Sequence, residues 1–247
     1  MATQFGYPLC VSDIRVTWSD GRVCDCLKKV HRVTDDLGMA FAGSVKIGFA
    51  LLEDLQGRCL HSEKLRNPEA LMAFWPRCAR HVFAAPGENE RKLGSQLLIF
   101  GIDRRKAGER MPVLYRLESP RFVPHKARNI ELLSVGCGGN VKEYEGLLRS
   151  ISCQPNPLKN WGVGFPGHGL GPGLAYVMLE EHRKLQAKGV SDHLLCCVLA
   201  RRGFLEIPNN QRFGDGSELR MPHLAASYGE FVVVARSLGV SAARAAC

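Results

Sequence analysis

The apolar pattern changes period at Gly43-Ser44, and that change limits the folds open to the chain. Before it, Tyr7 to Arg15, Arg22 to Val33 and Leu37 to Ala42 are β-rich runs separated by the turn signals SDG and DDLG, most simply three short antiparallel strands. After it, Val45, Ile47, Gly48, Leu51, Leu52 and Leu55 fall on one helical face. A second helix follows from Asn67 as N-cap, with Pro68 in the first helical position and Glu69 near the positive end of the dipole. Its apolar face holds Leu71, Met72, Trp75, Cys78 and Val82, and Pro76 is a candidate kink.

Strand patterns return at Gln96 to Ile102, Val113 to Leu117 and Ile130 to Val135, and Gly136-Cys137-Gly138-Gly139 then opens a helix near Val141 to Ile151. The stretch QPNPLKNWGVGFPGHGLGPG reads as a long loop, about 154–173. A helix from Leu174 to Gln186 follows, then strands at His193 to Leu199 and Phe204 to Ile207 joined by RRG. The last apolar run, Glu230 to Ala235, fits strand or helix alike.

Helices therefore come in pairs after groups of strands, which excludes a parallel βαβ fold. The expectation is an α+β, four-layer αββα sandwich: two antiparallel sheets face to face, with a helix pair outside each. No internal repeat or linker divides the chain, so residues 1–247 read as a single domain, long enough to bury a core without disulfides or metals.

A net charge of +9 would suit an acidic partner, but the basic residues are scattered in small groups such as Arg104-Arg105-Lys106 and Arg201-Arg202, which points away from nucleic acid. The ten cysteines include no CxxC pair and follow no signal peptide, so they read as small apolar filling in a reducing cytoplasm. No apolar run approaches the length of a membrane span. Gly162, Gly164 and Gly167 fit GxGxxG but lack the strand, tight turn and helix of a phosphate cradle. No cofactor or metal is expected.

Within CVSDIRVTWSDG an acid and a base occupy the middle of a strand. Asp13 lies sixteen residues before Lys29, and Lys29 fourteen before Gly43. Read alone, Asp13, Arg15 and Lys29 are a structural ion-pair network or the remains of a working site. The motifs SDIRVT, KKV and FAGS, their spacing and the element order resemble the proteasome β-subunit family of N-terminal nucleophile hydrolases, including bacterial proteasome-like peptidases. The likeness extends from Pro8 to about Leu148.

The resemblance implies a threonine-type peptidase whose N-terminal residue is the nucleophile and whose α-amino group is the base. Lys29 would tune the site, Asp13 would hold Lys29, Arg15 would order the turn region and the Gly43 N–H would stabilise the oxyanion. It also implies a peptide or protein substrate, a homo-oligomeric ring and an unfolding ATPase partner in the cytoplasm. The pattern is then broken in three places. The nucleophile's position falls four residues before Met1, so the resemblance implies a start further upstream; Thr3, the nearest hydroxyl, comes about six positions too late. Cys137 replaces the family's serine and is itself a candidate nucleophile, and the family's later acid falls on Lys188 if Ser191 is its serine, with Asp192 as a substitute only under a shifted alignment. Three readings stay open: a hydrolase, a catalytically inactive subunit acting in assembly or partner binding, and a basic binding module.

Overall fold

The computed structural model describes residues 2–4, 8–104, 110–128, 131, 133–136, 142–143, 146, 189–200, 203–208, 211–212 and 218–247. Strands are β1 (Ala2–Gln4), β2 (Pro8–Asp13), β3 (Arg15–Trp18), β4 (Val23–Asp25), β5 (Val30–Thr34), β6 (Leu37–Gly43), β7 (Ser95–Arg104), β8 (Arg110–Glu118), β9 (His125–Lys126), β10 (Leu194–Ala200), β11 (Gly203–Pro208), β12 (Gln211–Arg212), β13 (Glu218–Leu219) and β14 (Ala245–Ala246). The α-helices are α1 (Val45–His61), α2 (Pro68–Ala84), α3 (Glu88–Lys92) and α4 (Tyr228–Ser237).

The chain is α+β with antiparallel sheets. Among the described residues a five-stranded sheet runs β5-β6-β7-β8-β9 and a four-stranded one β1-β2-β10-β11, besides a three-stranded sheet, β14-β3-β4, and the pair β12-β13. Side-chain alternation along a strand divides the core in two. From the five-stranded sheet, Leu37, Met39, Phe41, Leu97, Ile99, Val113, Tyr115 and Leu117 join the apolar faces of α1 and α2. The intervening residues Ala40, Leu98, Phe100, Ile102 and Leu114 turn the other way, onto Cys10, Leu195, Cys197 and Leu199 of the four-stranded sheet. Helices, sheet and sheet are thus stacked in that order. The helices expected over the outer face of the second sheet, near 141–151 and 174–186, fall almost wholly outside the described residues, as does the loop about 154–173.

Both expected helix starts are present. Ser44 Oγ accepts from Ile47 N at 3.4 Å, and Asn67 Oδ1 accepts from Glu69 N and Ala70 N at 3.0 Å each. Asn67 Nδ2 also donates to Asp103 Oδ1 at 2.7 Å, tying the start of α2 to β7. Gly48 leaves room for the Phe41 ring, which a Cβ would approach to 2.3 Å. Helix α2 runs through Pro76 without interruption, and the run Glu230 to Ala235 lies in α4. Among the described residues no helix is long and apolar enough to cross a membrane.

The first third departs from the three-strand expectation. Five strands, β2 to β6, stand between Pro8 and Gly43 where three were expected, because the chain changes sheets at two points. Strand β2 pairs with β10 as far as Asp13, whereas β3, two residues later, pairs with β4 and β14. The expected run Arg22 to Val33 is divided in the same way: Cys26 N and Leu27 N both donate to Ile14 O at 3.1 Å, and the ladder resumes only at β5.

His31 on β5 is buried, its Nε2 donating to Lys28 O across 2.8 Å and its ring stacked on Phe41 at 5.7 Å. Burial pulls its pKa down to about 4. In the unfolded chain the imidazole titrates near the usual value of about 6.5, so on acidification the unfolded state takes up the proton first. Stability should fall by about 3 kcal/mol between pH 7 and pH 4 from this group alone. Urea unfolding across that range should show the fall, and His31→Gln should flatten it.

Candidate functional site

Strand β2 ends because Asp13 takes over a bond the ladder would otherwise make: its Oδ1 accepts the Arg15 N–H at 2.8 Å. The same Oδ1 receives the Lys29 ammonium at 2.7 Å. Lys29 enters from the connection between β4 and β5, and its carbonyl accepts from Phe41 N at 3.1 Å, two residues before Gly43. The two side chains are 6% and 16% exposed, so the charges face one another with little water between them. A buried ammonium left alone would be costly, and a carboxylate within hydrogen-bond reach offsets that cost.

Arg15 is directed elsewhere. It grips Asp25 through Nε at 2.8 Å and Nη2 at 3.2 Å, across the β3–β4 ladder in which the two residues are opposed. Asp25 Oδ2 also accepts the hydroxyl of the fully buried Ser191 at 2.6 Å. Burial works to raise the Asp25 carboxyl, and the bonds from Arg15 and Ser191 outweigh it, leaving the group below its ordinary value. His193 Nδ1 stands 3.4 Å from Ser191 Oγ and 3.6 Å from Asp25 Oδ2. Ser, His and Asp are therefore together, but the serine proton goes to the aspartate, so the imidazole is not placed as its base.

Gly43 closes β6 with φ +92°, and a Cβ there would stand 2.6 Å from Gly94 O. The position is restricted to glycine twice over, by backbone conformation and by space. Its N–H donates to Cys247 O at 2.6 Å, and Cys247 N donates back to Gly43 O at 3.0 Å. This amide donates to a main-chain oxygen of Cys247, an acceptor of the kind an oxyanion donor binds.

The structure brings Asp13, Lys29 and Gly43 into one region and leaves Thr3 out of it. Thr3 lies opposite Leu9, four residues along β2 from Asp13, about 13 Å at strand rise. Cys137 and Lys188, and the glycines 162, 164 and 167, lie outside the described residues. The described buried thiols are poor nucleophiles: burial raises Cys10, Cys196 and Cys197, and brings Cys26 to about 12 and Cys59 to about 11. Among the described residues no cluster of three or more His, Cys, Asp or Glu is arranged to hold a metal. A cleft of about 700 Å³ opens far along β5 and β6, lined by Arg32, Asp35, Asp36, Asn67 and Arg104. Its charges are largely paired within it, Arg32 with Asp35 and Arg104 with Asp36.

Asp25 and the main-chain oxygen of Cys247 are the two participants the sequence reading missed. A signal existed for the first, since a hairpin centred on SDG sets Arg15 opposite Asp25, an opposite-charge cross-strand pair. None existed for the second, 204 residues from Gly43.

Removing only the acid of the buried pair should expose its energetics. Asp13→Asn is expected to lose about 3 to 5 kcal/mol in urea unfolding. Adding Lys29→Met to that variant should restore most of the loss, since no uncompensated charge then remains. In comparisons with known proteins, no family profile and no curated protein matches this chain.

Proposed function

We propose that the chain is a proteasome-like N-terminal nucleophile hydrolase subunit that cleaves peptide bonds, its nucleophile carried on a continuation of β1 upstream of Met1. The observation that carries this reading is the Lys29–Asp13 pair standing beside the end of β6, where the Gly43 amide donates to a main-chain oxygen of Cys247. The register of β1 supports the missing part. Gln4 lies opposite Pro8, Thr3 opposite Leu9 and Ala2 opposite Cys10, so each step toward the start of β1 is a step along β2 toward Asp13.

In this mechanism the N-terminal hydroxyl or thiol attacks a peptide carbonyl, and the chain's own α-amino group takes its proton. Lys29, fixed by Asp13, favours the reactive protonation state electrostatically. The Gly43 N–H binds the developing oxyanion, the amine leaves with a proton, and water then releases the acyl group. The same reading carries a homo-oligomeric ring, which would limit access of folded proteins, and an unfolding ATPase as partner.

The test is the intact mass and N-terminal sequence of the protein from its native locus, followed by hydrolysis of fluorogenic peptides. A chain starting upstream with a free Thr, Ser or Cys in register should cleave them, and Lys29→Ala should lose at least about 100-fold in kcat. A chain that starts at Met1 or Ala2 and cleaves nothing would overturn the hydrolase and favour an inactive subunit working through its partners.

A further inference from the structure

The Gly43 amide is one wall of a slot, and the slot is full. On one side of β14, Ala245 pairs with Trp18 and Ala246 with Thr17 of β3. On the other, Ala246 bridges Ser44, and Cys247 exchanges both backbone bonds with Gly43. Alternate residues of an extended strand turn their backbone groups to opposite sides. Cys247 therefore satisfies Gly43 while Ala246 faces Thr17, and one short strand bridges the two edges.

From these contacts we infer that β14 is an autoinhibitory strand, seated in cis in a slot that takes an extended peptide, and that an incoming peptide enters by strand exchange. Main-chain bonds to a strand edge recognise a peptide backbone whatever its side chains, and pockets at alternate positions select among them. Here the selective position is that of Ala245, which is 1% exposed and packed in the main core, so the slot admits a small residue there and excludes a large one. The occupant's side chains from Ala245 to Cys247 are small, so the strand itself brings little side-chain bulk to the slot. Upstream it stays anchored, with Trp18 Nε1 donating to Ser241 O at 3.2 Å and α4 packed through Phe231 on Trp18. Displacing it would free the Gly43 amide without disturbing the Lys29–Asp13 pair. The inhibitory consequence rests on the hydrolase reading, whereas occupation and exchange of the slot do not.

The test uses the full chain and a fluorescein-labelled peptide of sequence SAARAAS, the segment Ser241–Cys247 with serine at its last position, read by fluorescence polarisation. Ala246→Pro removes the N–H that faces Thr17 and should weaken the cis strand, so this variant is expected to bind the peptide at least tenfold more tightly than the unaltered chain. A peptide with Trp at the Ala245 position should not bind. Equal binding by the two proteins, or none by either, overturns the proposal. Should the variant fail to fold by circular dichroism, hydrogen exchange of the unaltered chain decides: a Gly43 amide slowed at least 100-fold relative to a free peptide upholds the cis strand, and one exchanging at the free rate overturns it. Mass spectrometry of the same peptide extended past its last serine, mixed with the protein as it occurs at its native locus, separates the two readings, because tight binding without cleavage would leave the slot in place and remove the hydrolase.

Discussion

The close approach of β6 and β7 at Gly43 governs the geometry of everything around the site. Gly43 is opposite Ser95, and the Gly94 carbonyl occupies the space a side chain would need. That carbonyl also accepts Ser44 N at 2.9 Å, so the backbone is fixed on both sides of the turn from strand to helix. Ser44 then caps α1 through Ile47 N, and α1 starts with no intervening loop. One contact thus sets where the strand stops, where the helix starts and which way the Gly43 amide points. Any side chain at Gly43 would have to move the Gly94 backbone, and with it the cap.

The charges near this junction follow from a second constraint. A chain that passes from one sheet to another leaves backbone groups without ladder partners, and these must be satisfied locally. At the first crossing Asp13 supplies the acceptor for Arg15 N, and at the second Ile14 O accepts two N–H groups. The carboxylate that closes the crossing also neutralises Lys29, while the side chain of Arg15 finds Asp25, whose carboxylate takes the Ser191 proton. Asp13 and Asp25 are each compensated by a different cation, so the network alternates in sign from Lys29 through to Arg15 and Asp25. This is why a strand pattern carries an acid and a base at its centre: the strand ends there.

How much of this was legible depends on the range over which each signal acts. The starts of α1 and α2 were readable because caps and apolar period are local, and Ser44, Asn67 and Pro68 behave as those rules require. The strands β6, β7, β10 and β11 were readable for the same reason. The division of the stretch from Pro8 to Gly43 into five strands was hidden, since apolar alternation continues across Ile14 and only the partner strands change. The identity of Glu230 to Ala235 was open because a short apolar run fits both periods, and it was decided by packing, Phe231 against Trp18 and Ala235 in the core. Within the site, the Asp13–Lys29 pairing came from resemblance rather than from periodicity. The partner of Gly43 came from neither, since β14 is two alanines without a pattern of its own.

The two proposals meet at that amide. A backbone N–H beside a packed core needs an acceptor, supplied by the protein, a ligand or water. Cys247 O is that acceptor in cis. A substrate carbonyl bound for attack would need the same bond, and so would the oxyanion derived from it, which a preorganised donor holds more strongly than it holds the neutral carbonyl. Closure and catalysis are therefore alternatives at a single donor. On these proposals a strand held by backbone hydrogen bonds would compete well with a bound substrate in the ground state and poorly with the transition state that follows. On the two proposals taken together, that difference would let the chain keep its site satisfied and still give way when an extended peptide with a small residue at the right position arrives.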